Sequence, residues 1–571
     1  MTIRLSKPFI PRRRFAPAVA VLAAFATFAA MLAPAALPDP AAAAQPGVDR
    51  GGPPRPTGVP MFRGVAVHQK IATKSTSAQR LFDQGLGLCF AFNHDEAIRS
   101  FQAAAEIDSA AAMPWWGIAL ALGPNINNPM SPEAETRALA ALAKAQERLA
   151  GASKSERDYV AALATRYGSP AGEQRAARDS AYANAMRGLM RAYPNDANAA
   201  VLCAEALMDL RPWDLWTMAG EPKPGTMEIV QRLEAALKKT PNHIGALHLY
   251  IHTMEASSTP GRAEAAADRL KRISPEAGHL MHMPTHIYLR LGRYADGSRE
   301  NRRAIDVDRE YIARWGVEGV YTMMYANHNI HMRLAALCFE GRSADAIAES
   351  RRLRESATDA MVREMQPMEL FTGASYLALP RFGRWDDILA QPPPAPDLRL
   401  TNAAWRFARG VALAAQGKDA EAGVERDSLA AIAASSEGLW FGLAPGPVIA
   451  NFALAFLDGE RAARAGRVDE AARLLTHAAA LQDSIPYDEP PQWTMMARQS
   501  LGALLLQAGR AAEAEAVYRE DLKRFPETGW SLRGLADALR AQGKAKDADA
   551  AEARFKKAWA TADVTLTTSR F

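Results

Sequence analysis

The stretches HLYIHTME (residues 248–255) and HMPTHIYL (residues 282–289) decide how this chain folds. Each begins with a histidine and carries a second one four residues later, and the two pairs are 34 residues apart. Thirty-four residues is the length of a helix–turn–helix unit that stacks on copies of itself to form a solenoid. Because residues four apart share one face of a helix, the repetition predicts that both pairs line the same surface of such a solenoid.

The same spacing recurs far from the histidines. From about residue 76 the chain is dense in Ala, Leu, Arg and Glu and lacks alternating Val, Ile and Thr runs, which predicts helices throughout. Near the far end, Leu501, Gly502, Leu505, Gly509 and Ala514 recur 34 residues later as Leu535, Ala536, Leu539, Gly543 and Ala548. The predicted fold is therefore an all-α solenoid of helix–turn–helix units, arranged in one lobe or two.

The first 44 residues are not expected to belong to this fold. They carry five basic residues ahead of a long apolar run and end in three alanines, which is the layout of a secretory signal peptide. An uncleaved N-terminal membrane anchor is the alternative, because the apolar run is just long enough to span a bilayer. We expect the protein to be exported to the periplasm, with contact to a membrane only if this segment is retained.

Composition suggests four further segments. Residues 45–75 are rich in Gly, Pro, Ala and Thr and are predicted to be a flexible linker. Residues 76–390 would form an N-terminal lobe containing the histidines, and residues 401–571 a C-terminal lobe. The sequence QPPPAPDLRL at 391–400 is the predicted break between the two lobes.

The charge balance argues against nucleic acid as a partner. The formal net charge is +5, and residues 1–44 contribute most of that excess through five basic residues against one acidic residue. The remaining chain is near neutral, with both signs interspersed and no basic stripe. The three cysteines have no CxxC spacing, so we assign them no function.

Eight potential metal ligands are predicted to meet on the inner surface of three stacked units. In the units that begin at Ile244, Gly278 and Asn327, they occupy positions 2, 5, 9 and 12 of the first helix. They are His248, His252, Glu255, His279, His282, His286, His328 and His331. Imidazole and carboxylate ligands suit zinc, copper or iron and do not suit calcium or magnesium.

Two alternatives to a metal site remain open. The histidines could each satisfy one hydrogen bond in the core or groove, or they could line a groove that binds a peptide or protein. Pro284 must begin or kink its helix, which would place His279 and His282 on a preceding turn. Asp214 in RPWDLW and Glu489 in YDEPPQW lie in irregular loops that could orient an imidazole, although prolines and tryptophans also serve simply to end helices and fill grooves.

The chain resembles the tetratricopeptide-repeat (TPR) family over nearly all of its length after the signal. It looks specifically like a group of exported bacterial TPR proteins that share WWGIALALGPNIN (115–127), PWDLW (212–216), GALHLYIHTMEAS (245–257) and GHLMHMPTHIYLRLGRY (278–294). The resemblance implies an all-helical solenoid that binds a protein or peptide in its concave groove. The family at large requires no histidine at positions 2, 5, 9 or 12, so the histidine cluster departs from its pattern.

Two functional hypotheses follow. In the first, the groove of an exported TPR protein binds a divalent transition metal, and an ion with an open position makes the protein an enzyme. In the second, the groove is a scaffold that binds a peptide or protein partner without metal. No nucleophile elbow, HExxH motif or phosphate-binding loop names a reaction.

Overall fold

The computed structural model describes residues 58–571; the predicted signal peptide (residues 1–44) lies outside the described residues. The first part of the chain is a succession of antiparallel helices. They are α1 (Thr76–Phe90), α2 (His94–Ile107), α3 (Met113–Ala121), α4 (Pro132–Glu147), α5 (Lys154–Ala164), α6 (Arg175–Ala192), α7 (Ala197–Met208), α8 (Thr226–Lys239), α9 (Ile244–Met254), α10 (Glu264–Ile273), α11 (Gly278–His282), α12 (Pro284–Arg290) and α13 (Tyr294–Trp315). Short 3₁₀ turns cover Leu149–Gly151 and Pro260–Ala263.

A π-helical turn, Tyr321–Ala326, leads into the second part of the chain. The helices there are α14 (Asn327–Glu340), α15 (Ser343–Ser356), α16 (Asp359–Glu364), α17 (Glu369–Ala374), α18 (Ala378–Arg381), α19 (Trp385–Leu389), α20 (Arg399–Ala415), α21 (Asp419–Ala434), α22 (Gly446–Arg464), α23 (Val468–Ser484), α24 (Ala497–Gln507), α25 (Ala511–Arg524), α26 (Gly529–Ala541) and α27 (Ala545–Ala558). A 3₁₀ turn covers Gln366–Met368, and β1 (Trp440–Phe441) pairs antiparallel with β2 (Ala444–Pro445). The predicted all-α, TPR-type solenoid is confirmed.

Glycines at the repeat positions allow the helices to stack. Phe101 on α2 lies between Gly85 of its own unit and Gly117 of the next, and a Cβ atom at either glycine would fall 2.6 Å from its ring. Tyr518 on α25 is held in the same way between Gly502 and Gly534 near the other end. An aromatic ring clamped by two glycines is thus the packing unit that the 34-residue spacing encodes.

The hydrophobic core has two large parts, and they meet around residues 305–330. The first runs from Val65 to Tyr325, and the second from Ile305 to Leu566. The Pro-rich segment 391–400 does not separate them, because its own Leu398 and Leu400 are buried in the second part. The composition of that segment marks a turn between helices rather than a boundary between cores.

The described part of the predicted linker is also packed. Val65, Val67 and Ile71 are buried in the first core, and the Val67 N–H donates to the Asp83 carbonyl at 3.0 Å. Residues 58–75 are therefore an extended arm on α1 rather than a flexible linker. Their Gly and Pro content hid the three apolar side chains that fix the arm to the core.

The end of the chain folds back onto its middle. Trp530 donates its indole N–H to the Cys338 carbonyl at 2.9 Å, and the Tyr294 hydroxyl donates to the Pro526 carbonyl at 2.9 Å. These contacts close the inner side of the superhelix. Between residues 58 and 571, none of the helices is long and apolar enough to cross a bilayer.

Adding a methyl group at the clamp is expected to destabilise the fold. Gly117→Ala should lower the free energy of unfolding by about 1–3 kcal/mol, because the new Cβ overpacks the ring of Phe101. Gly188→Ala is the matched control: this glycine lies inside α6 with open space around its Cβ position, so helix propensity should raise stability by up to about 1 kcal/mol. Chemical denaturation of both variants measures the difference, and equal effects would contradict the clamp.

Candidate metal centre

Three successive first helices carry the candidate ligands. His248 and His252 lie on α9, and Glu255 is its C-terminal cap. His279 and His282 lie on α11, and α12 resumes at Pro284 after the single helical residue Met283. Because a proline at the first position of a helix needs no N–H partner, α11 and α12 form one helical path with a break at Met283. The third helix, α14, carries His328 and His331.

The first group of ligands is the triad His248, His252 and His279. One potential ligand atom from each lies within 4.8 Å of the others. The Nε2 atoms of His248 and His279 are 3.1 Å apart, and the Nε2 atom of His252 is buried without a hydrogen-bond partner. The three rings are no more than 5 % exposed. Residues from two different repeats thus converge in a place that is closed to bulk solvent.

The second group is the triad His282, His286 and His328. The Nε2 atoms of His282 and His286 are 2.6 Å apart, and the ring centroids of His282 and His328 are 4.6 Å apart. His282 and His286 are buried, whereas His328 is half-buried. Potential ligand atoms of the three residues again lie within 4.8 Å of one another.

Glu255 connects the two triads. Its Oε1 lies 2.9 Å from Nδ1 of His252, and its Oε2 lies 2.5 Å from Nδ1 of His286. Glu489, from the segment between α23 and α24, also contacts Nδ1 of His286. The two glutamates and two histidines form a third group whose ligand atoms could hold a metal ion.

Hydrogen bonds fix which way several of the rings face. The Asn301 Nδ2 donates to the Gly297 carbonyl at 2.9 Å, so the Asn301 Oδ1 must be the atom that accepts from Nδ1 of His282 at 3.0 Å. Nδ1 of His248 likewise donates to the Phe90 carbonyl at 2.5 Å. In these neutral rings the lone pair is therefore on Nε2, the atom that faces the neighbouring histidine.

The contact between His282 and His286 has a clear electrostatic consequence. Nδ1 of His286 faces two carboxyl groups and Nδ1 of His282 faces an amide oxygen. If both Nδ1 atoms carry the hydrogen, two lone pairs oppose each other at 2.6 Å, and a cation must lie between them. That cation is a metal ion or a proton shared with the carboxyl groups.

Burial keeps the imidazoles in the form that binds metal. It lowers the pKa of His248, His252, His279, His282 and His328 well below the usual value, and neighbouring imidazoles lower most of them further. Metal ligation requires neutral imidazole, so little free energy is needed to remove protons from these rings. Burial also raises the pKa of Glu255 to about 8 and that of Glu489 well above its usual range. A bound cation would favour the ionised form of both carboxyl groups.

The structure brings together seven of the eight predicted site residues and leaves one apart. His331 is in none of the three groups; it is 1 % exposed, and its ring contacts Phe371 edge-on with centroids 5.7 Å apart. The rise of α14 turns it away from the triads. Asp214 pairs with Lys223 instead of reaching a histidine, whereas Glu489, the other suggested loop acid, joins the site.

Two strained aromatic residues pack on the triads. Phe92 has φ 54° and its ring centroid lies 4.5 Å from His248 and 5.6 Å from His279; Trp213 has φ 58° and meets His252 at 5.5 Å. A bulky residue with positive φ costs of order 1–3 kcal/mol and persists where the surroundings impose it, which is common at functional sites. Sequence analysis did not single out Phe92, because nothing in a sequence reports a positive φ for phenylalanine.

Asp308 aligns the elements that carry the second and third helices of the site. Its two oxygens accept from the Tyr321 hydroxyl and from Nδ2 of Asn329, each at 2.7 Å. A Cβ at position 278 would fall 1.9 Å from Oδ1 of Asp308, so only glycine lets α11 begin there. The π-helical turn that follows Tyr321 also places Tyr325 4.8 Å from His279 between ring centroids.

Comparisons with known proteins agree with a helical-repeat fold and give no function. No protein-family model and no curated protein matches this sequence. Among solved structures, human IFIT1 with m7Gppp-AAAA is 13 % identical over 85 % of this chain and 91 % of its own, with a TM-score of 0.30. Yeast Tom70 is 10 % identical over 83 % of this chain and 90 % of its own, with a TM-score of 0.29. Likenesses this distant carry no argument about ligands or partners.

His331→Leu is expected to stabilise the protein, increasingly as the pH falls. Both ring nitrogens are buried without hydrogen-bond partners among the described residues, and burial lowers the pKa of His331 to about 3. The unfolded chain therefore binds a proton below about pH 6.5 that the folded protein refuses, so wild-type stability falls as pH drops from 6.5 towards 3. The variant should gain about 1.4 kcal/mol per pH unit over that window relative to wild type.

Denaturation of the chelator-treated protein between pH 7 and pH 4 measures this gain. His477→Leu, which removes an exposed imidazole from α23, is the control for losing a histidine as such. A His331→Leu curve parallel to that of the wild type would contradict the burial of a neutral ring.

Proposed function

We propose that this protein is an exported, TPR-type solenoid that binds a divalent transition metal, zinc, copper or iron, in its closed inner space. The six histidines of the two triads are the proposed ligands, with Glu255 and Glu489 beside them. Export to the periplasm is part of the proposal and rests on the pattern of residues 1–44. The likeness to exported bacterial TPR proteins supports the same location.

The single observation that carries the proposal is the approach of Nε2 of His282 to Nε2 of His286 at 2.6 Å. Hydrogen bonds on the far side of each ring direct both atoms inward, as second-shell partners do in metal sites. Neutral packing of histidines does not require such a contact, and it does not require a second one, between His248 and His279, in the adjacent triad.

The chemistry that a bound ion would supply depends on its open positions. An ion that keeps one free position activates a bound water or dioxygen species, which would make the protein an enzyme. The half-buried His328 and Trp213 are the members of the cluster that lie nearest to solvent. They mark the side from which a small molecule would enter.

A scaffold that holds a peptide against these histidines is the second candidate, and burial weighs against it at this site. Seven predicted site residues lie in a space that Glu489 and its neighbours close from the C-terminal side. A peptide groove needs an open wall of first helices, which this part of the superhelix does not offer. Partner binding elsewhere on the solenoid is compatible with the proposed metal site.

Metal analysis of the mature protein, purified without a His tag or chelator, tests the proposal. Mass spectrometry should find zinc, copper or iron in near-stoichiometric amount. His286→Ala and His252→Ala should each lower the metal content, because each removes a member of a triad. His331→Leu is the matched control and should keep the wild-type content. A wild-type protein that is metal-free and takes up none of the three added ions would refute the proposal.

A further inference from the structure

We infer that the site holds two metal ions side by side, one on each imidazole triad, with Glu255 setting the distance between them. This inference rests on the proposed function. It assigns His248, His252 and His279 to one ion and His282, His286 and His328 to the other. Glu255 and Glu489 are positioning residues that hold the rings and supply negative charge.

The first argument is the number and grouping of nitrogens. With metal–nitrogen bonds of 2.0–2.1 Å, two imidazoles on one tetrahedral ion place their nitrogens about 3.3 Å apart. The structure contains two such pairs, His248 with His279 at 3.1 Å and His282 with His286 at 2.6 Å. One tetrahedral ion cannot bind both pairs and the two further histidines.

The second argument is that the two triads do not share a member but do share an orienting group. Glu255 accepts from Nδ1 of His252 with one oxygen and from Nδ1 of His286 with the other. These histidines belong to different triads. A single rigid carboxylate therefore fixes one ring of each triad and leaves the Nε2 atom of each free to bind its own ion.

The third argument is the distance between the triads. The ring centroids of His252 and His286 are 5.3 Å apart, and those of His279 and His282 are 5.5 Å apart. Rings this close put their ions within a few ångströms, the arrangement of two-metal sites whose ions lie about 3.5–4 Å apart and share a small bridging ligand. Hydroxide or dioxygen is the class of ligand that fits, since Phe92 and Tyr325 fill the space beside the first triad.

Charge supports ions of low charge held by a compensating pair of acids. Each triad supplies three neutral ligands, so the charge of two ions is balanced only by Glu255 and Glu489, both buried. A buried charge without a partner is strongly unfavourable. Among divalent ions at imidazole ligands copper binds most tightly, so we expect copper to displace zinc from both triads.

The number of ions per chain is the decisive measurement. The chelator-stripped, full mature chain is titrated with Zn²⁺ and with Cu²⁺ in separate experiments, and bound metal is counted after desalting. Wild type should bind two ions, His248→Ala and His282→Ala one each, and the double variant none. One ion in wild type, lost in both single variants, would overturn the inference while leaving the proposed function intact. Wild type with none would overturn the proposed function itself.

A measurement on the wild type covers the case in which these variants fail to fold. Electron paramagnetic resonance of the protein with two equivalents of Cu²⁺ should give a spin count well below its copper content, because neighbouring ions couple magnetically. A spin count equal to the copper content would place the ions apart and overturn the inference.

Glu255→Gln tests the positioning role. The amide keeps the size of the side chain and part of its hydrogen bonding, so two ions should still bind, with affinity lowered about 10–100-fold and with altered magnetic coupling. Glu255→Ala should weaken binding further. Outright loss of one ion in Glu255→Gln would make the carboxylate a ligand and overturn its assignment as a positioning residue.

Discussion

The close approach of imidazole nitrogens, held from behind by hydrogen bonds, is the constraint on which the inner side of this solenoid depends. His282 and His286 face each other because Asn301, Glu255 and Glu489 take hold of their far nitrogens. Bringing neutral lone pairs together in a dry interior is unfavourable unless a cation joins them. The fold therefore stores an arrangement whose most favourable state includes a bound positive charge.

Closure of the superhelix turns a repeat surface into a chamber. In an open solenoid the first helices would present their histidines to solvent, but here the chain returns and Trp530 bonds to Cys338 on α14. The same return delivers Glu489 to His286, so the site is assembled from residues more than two hundred positions apart. Stability of the closed form and integrity of the site are consequently linked.

Much of this was predictable, because repeats encode their own geometry. The spacing of 34 residues gave the helical solenoid, and positions 5 and 9 of each first helix correctly placed His248, His252, His282 and His286 together. The closure was not predictable, since contacts such as Tyr294 with Pro526 leave no periodic trace. His331 was misplaced for a related reason: position 5 of the third unit follows a π-helical turn that rotates α14 relative to an ideal repeat.

The errors at the edges of the fold have a common physical origin. Composition indicated a linker at 45–75 and a lobe boundary at 391–400, yet Val65 and Leu398 are buried. A few apolar side chains fix a segment to a core even when glycine and proline surround them. Average composition does not report such isolated anchors.

The most direct test of the central claim is an anomalous difference map from crystals of the mature, untagged protein, collected at the absorption edge of its native metal. We predict a peak within bonding distance of Nε2 of both His282 and His286. Metal peaks confined to the outer surface, with no anomalous density between those two nitrogens, would contradict it.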